Sequence, residues 1–106
     1  MDDRELLELA AKAAGEHVKF FNSAGDPVIG FPAFGPESCL VRIWNPLNDD
    51  GDALRLAVKL RISVMHATRH VACDLPNDDY AFEEGVTDGH TRRAIVRAAA
   101  EIVRAM

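Results

Sequence analysis

The sequence predicts an α+β protein, a three-layer α-β-α sandwich in which three helices cover a mainly antiparallel sheet of about five strands. Three observations carry this prediction. Apolar residues fall at helical spacing at the start, middle and end of the chain, with β-rich runs between them. Successive strands are joined by short connections, which favour antiparallel pairing. The 106 residues suit a single domain over residues 1–106, and 48% hydrophobic with 27% charged residues suffices for one core and argues against disorder.

The elements follow in order. Residues 3–14 form a helix: Leu6, Leu9, Ala10, Ala13 and Ala14 repeat at helical spacing, Asp2 or Asp3 caps its free amides, and Gly15 stops it. Residues 17–21 are a strand, 22–27 a turn and 28–31 a short return strand. Pro32, Gly35 and Pro36 make the next stretch a loop. Residues 39–44 alternate, with Leu40 and Trp44 on one face and Val41 and Ile43 on the other; Trp44 is assigned to the core. Pro46 ends this strand, since it has no N–H and restricts Asn45.

Asp49 or Asp50 caps a second helix over 52–60. Its expected buried stripe is Leu54, Ala57 and Val58 with the Leu56/Leu60 pair, leaving Arg55 and Lys59 outside. Residues 62–67 and 70–73 are β-rich and form a hairpin about Thr68 and Arg69. Residues 75–79 are a loop, and 80–84 an edge strand guarded by Glu83 and Glu84. Thr87 or Asp88 caps the last helix, 90–105, with the stripe Ile95, Ala98, Ala99, Ile102, Val103 and Met106 and an expected Arg97–Glu101 pair.

The net charge is −5, unevenly placed: residues 1–53 hold 4 basic and 10 acidic residues, and residues 54–106 hold 8 and 7. Such a balance repels phosphate backbones and anionic lipids. Cys39 and Cys73 are too few for a disulfide scaffold. The opening Met1-Asp2-Asp3-Arg4-Glu5 has neither the basic nor the apolar region of a signal peptide, and no apolar run reaches membrane-span length. A protein of a bacterial cytoplasm is expected, with no membrane contact.

One stretch carries a family resemblance. Trp44-Asn45-Pro46-Leu47, continued by Asp50-Gly51-Asp52-Ala53-Leu54-Arg55-Leu56-Ala57-Val58-Lys59-Leu60, resembles the signature of the phage ABA sandwich domain family. The run Thr91-Arg92-Arg93-Ala94-Ile95-Val96-Arg97-Ala98-Ala99-Ala100-Glu101-Ile102 resembles the last helix of the same family. The resemblance covers the middle and the C-terminal third. It departs at Arg61, where the family often has glycine. It implies an α-β-α sandwich of phage or prophage origin, and it implies no activity and no catalytic residue.

His66, His70 and Cys73 stand at i, i+4 and i+7, a set that would suit zinc on a helix, with Cys39, His17 or Asp74 as a fourth ligand. Val64 and Val71 favour strands there instead, and two histidines beside an inert buried thiol account for the pattern. These residues are therefore the candidates for the alternative reading, a zinc protein or small metal-dependent enzyme, while the main expectation is no metal, no cofactor and no catalytic residue. A thiol–imidazole nucleophile would also need an oxyanion hole and an orienting third group, and neither is identifiable. Setting Gly51 at the sixth position of a calcium loop puts Pro46 first and Ala57 twelfth, and neither has a carboxylate. Gly25 and Gly30 match the glycines of a phosphate loop, but Phe31 and Pro32 replace its lysine and hydroxyl residue.

Arg92, Arg93, Arg97 and Arg104 make the last helix basic, a face for nucleic acid or an acidic partner, with the charge of the whole chain opposing the former. Phe31, Pro32 and Phe34 sit in a loop and form an apolar patch suited to a partner or a second copy. The expectation is an accessory protein that works by contact with a phage or host protein through Phe31, Phe34, Arg93 and Arg97.

Overall fold

The computed structural model of the protein describes residues 2–32, 39–75, 80–85 and 87–105, and of residues 31, 32, 39 and 40 the backbone alone. The chain runs α1 (Asp3–Ala14), β1 (Val18–Phe21), β2 (Pro27–Pro32), β3 (Cys39–Ile43), α2 (Asp50–Leu60), β4 (Val64–His66), β5 (Val71–Asp74), β6 (Tyr80–Glu83) and α3 (Asp88–Arg104). Every strand pairing is antiparallel. This is the α+β class read from the sequence, with a different partition. Six strands form two sheets, β1-β2-β3 and β4-β5-β6, where about five in one sheet were expected. Local pairing decides this: Pro46 and the capped helix after it carry the chain away from β3, so β4 pairs with the strand that follows it.

The helix ends are set by the residues that the sequence offers. The Asp2 carboxylate accepts the Glu5 amide, and Gly15 takes the left-handed conformation, φ 74°, that returns its N–H to Ala11 and Lys12. Asp49 accepts the Asp52 amide at the start of α2, and Thr87 accepts the His90 amide at the start of α3. Arg61 closes α2 at φ 56°, the position where glycine is the low-strain choice.

The core lies where α3 meets α1, α2, β5 and β6. Ala10 on α1 and Ala94, Ala98 and Ala99 on α3 are completely buried, and their small side chains let the two helices approach closely. Ile29, Trp44, Leu56, Val71 and Val96 supply the bulk.

Two local readings are corrected. On α2 the buried positions are Asp52, Ala53, Leu56 and Ala57, while Leu54 and Val58 are 63% and 68% exposed. Asp52 is drawn inward by Asn45 and Arg42, which fixes the rotation of the helix and turns Leu54 and Val58 out. On α3, Arg97 reaches across to Glu83, and Glu101 bonds Arg104 instead. Ile95, Ala98 and Ala99 are buried as expected, Ile102 and Val103 partly so, and Met106 lies outside the described residues. The expected loop over 75–79 lies outside them as well, except for Leu75.

Candidate functional site

The first sheet has an outer face on which the described, directly paired residues are apolar, with the exposed Lys19 at its β1 edge. Phe20 pairs with Val28, Val28 with Ile43, and Gly30 with Val41. Directly paired residues share a face, and alternate residues along a strand share it too. The described outward positions are therefore Phe20, Val28, Gly30, Val41 and Ile43. Phe20, Val41 and Ile43 are 54%, 56% and 55% exposed. Val28 is shielded between its two neighbours, yet it belongs to no core cluster. The opposite face carries Val18, Phe21 and Ile29 against the core.

A register shift between Val18 and Phe20 makes this possible. The extra residue, Lys19, lets Val18 and Phe21 both face inward while Phe20 points out. An antiparallel sheet with one face on water ordinarily alternates apolar and polar residues. Apart from Lys19 at the register shift and Arg42, whose guanidinium turns to Asp52, the residues of these strands are apolar.

A polar network holds the sheet in place. Asp52, 4% exposed, accepts Arg55 Nη2 at 2.8 Å, the Asn45 amide at 2.9 Å and Arg42 Nη1 at 3.1 Å. Asn45, also buried, donates through Nδ2 to Asp26 at 2.6 Å and accepts the Leu47 amide at 3.0 Å. The β1–β2 turn, β3 and the start of α2 are thus joined through two side chains. Burial pushes the Asp52 carboxyl up, but hydrogen bonds from Arg55, the Asn45 amide and Arg42, with the charge of Arg42, outweigh it and leave the pKa below its ordinary value. Beside the network lies an open cavity of about 420 Å³, lined by Asp26, Arg42, Ile43, Asn45, Asp49 and Arg55. Ile43 belongs both to this cavity and to the apolar face.

The second sheet brings His66 and His70 to one open cavity with Phe82 and buries Cys73 apart from them. His66 pairs with Val71 on the side facing α3, where its Nε2 lies 3.3 Å from Thr91 Oγ1. His70 is on the other face, with its ring 5.5 Å from that of Phe82. Cys73 is fully buried, and burial, reinforced by the Asp74 charge, pushes its thiol up to about 11. It is therefore protonated at neutral pH and not a ready nucleophile. No group of His, Cys, Asp and Glu among the described residues is arranged to hold a metal ion. Within the run Asn48–Asp52 set against the calcium loop, Asp49 and Asp52 are bonded to backbone amides and arginines, and Asp50 to Arg92.

The arginines of α3 are each engaged within the molecule. Arg92 reaches the Leu47 carbonyl and Asp50, Arg93 reaches Asp3 and Glu83, Arg97 reaches Glu83 and the Phe82 carbonyl, and Arg104 reaches Glu101. The basic face read from the sequence is largely neutralised in place. Of the expected apolar patch, Phe34 and the Phe31 side chain lie outside the described residues. The exposed Phe20–Ile43–Val41 face was missed. Its signal was faint: Val41 and Ile43 are apolar at the positions opposite Leu40 and Trp44, where a strand with one wet face ordinarily carries polar residues.

Compared with known proteins, the chain matches no family model, no curated protein and no solved structure. No helix among the described residues is long and apolar enough to cross a membrane.

Proposed function

We propose that this protein acts by protein contact, as a small accessory protein of phage or prophage origin in the cytoplasm of a bacterial host, and that the outer face of the first sheet is its contact surface. The observation that carries the contact reading is the face itself: Phe20, Val41 and Ile43, more than half exposed, lie together around Val28 and Gly30. Contiguous apolar surface of this kind is covered in use. The origin rests on the resemblance of residues 44–60 and 91–102 to the phage sandwich family. The Asp52 network supports the reading as well, since it fixes the sheet to α2 and gives the face a rigid backing.

Methyl-labelled protein added to a lysate of phage-induced bacterial cells tests this. Val41 and Ile43 signals should broaden as a partner binds, while those of Leu54 and Val58, exposed on α2, should not. Unchanged Val41 and Ile43 signals beside broadening elsewhere would sink the assignment.

A further inference from the structure

The apolar face has an electrostatic neighbour, and this extends the protein-contact reading to the chemistry of the partner. The cavity at Ile43 holds three carboxylates, Asp26, Asp49 and Asp52, against two guanidiniums, Arg42 and Arg55. Both arginines converge on Asp52. Asp26 has a hydrogen bond from Asn45 and no cationic partner among the described residues. Asp49 caps α2, and Arg55 stands 3.8 Å from it. Three carboxylates against two guanidiniums leave one net negative charge in the cavity, placed at Asp26, at the Ile43 end of a face whose nearest described charge on β1 is the exposed Lys19.

The whole chain has the same sign, at −5, although the charged residues of the three strands themselves are Lys19 and Arg42. A second copy would bring like charge to the same place, which opposes its approach. A lysine or arginine on a partner is attracted instead, and its aliphatic stem can lie along Ile43 while its charged end reaches the carboxylates. We propose that this face receives a protein segment with an apolar row that ends in a lysine or arginine. The apolar side chains cover Val28, Gly30 and Val41, and the cation sits in the cavity between Asp26 and Asp49. This inference rests on the contact reading and adds the sign of the partner's charge.

Short synthetic strand peptides of alternating valine and threonine test it, one ending in lysines and its match ending in glutamates, each titrated at low and high salt. The lysine peptide should bind between about threefold and tenfold more tightly at low salt, an advantage that salt erodes. Val41 and Ile43 resonances should move in both titrations. In the double variant Asp26→Asn with Asp49→Asn, in which asparagine still caps α2, the two peptides should bind alike. Ile43→Ser should weaken both, and Val41→Ser serves as the second variant if the first fails to fold.

Equal affinities for the wild-type protein would overturn the inference and leave the contact reading standing. So would a concentration-dependent dimer abolished by Ile43→Ser, which would make a second copy the occupant. If neither peptide moves the face resonances, the inference also fails. The contact reading itself is decided separately, by the lysate titration.

Discussion

Replacing Asp52 by alanine removes the acceptor of a buried backbone amide, and the size of the effect follows from which donors are left behind. Asp52 takes hydrogen bonds from Arg55, the Asn45 amide and Arg42. Arg42 and Arg55 are well exposed and turn back to water when the carboxylate is gone, so their loss adds little. The Asn45 amide cannot do so, because Asn45 is 5% exposed. An orphaned buried donor costs about 1–3 kcal/mol. Loss of a negative charge from the first turn of α2 adds roughly 0.3–1 kcal/mol. Asp52→Ala should therefore destabilise by about 1.5–4 kcal/mol, lowering the melting midpoint on the order of 10 °C.

Asp52→Asn keeps the shape and should fall between the two proteins. It also isolates the charge. The folded-state pKa of Asp52 lies below the ordinary 3.8, so its contribution is present above that value and lost as pH falls through the folded pKa. The stability gap between wild type and Asp52→Asn should therefore be constant at neutral pH and close below about 3.8. Urea unfolding across a pH series measures both effects. A loss under about 1 kcal/mol for Asp52→Ala, or a gap that persists in acid, would refute the account of Asp52 as the bolt between β3 and α2.

Other outcomes follow from single features. Arg61→Gly should stabilise by about 0.5–1 kcal/mol in urea unfolding, because relief of roughly 1–2 kcal/mol of left-handed strain exceeds the entropy that glycine adds to the unfolded chain. In a Cys39→Ser background, Cys73 should react with a thiol reagent far more slowly in the native protein than in urea. Its contribution to stability should be full below the ordinary 9.0, decline as pH rises toward about 11 and level off above that, because the unfolded thiol ionises first. Glu83→Ala removes an ion-pair partner of Arg93 and Arg97 together, leaving Asp3 and the Phe82 carbonyl, and should cost about 1 kcal/mol by thermal unfolding, discounted because both arginines are two-fifths exposed; no change would show that the cluster is idle.

What the sequence determined by itself is local. Asp2, Asp49 and Thr87 cap the helices they precede, and Gly15 ends α1, because a cap needs only residues within one turn of it. The alternation of β3 put Trp44 in the core and Val41 and Ile43 on the opposite face, as a two-residue period demands, and the turn near Thr68 made the second hairpin. Tertiary structure decided whatever joins distant positions. Arg42 meets Asp52, Arg97 meets Glu83, and Arg93 meets Asp3 across most of the chain. Those partners set the rotation of α2, occupied the arginines of α3 and denied Glu101 its expected mate. The division of the strands into two sheets and the apolar outer face of the first belong to the same class, because which side of a strand meets water depends on what packs against the other side.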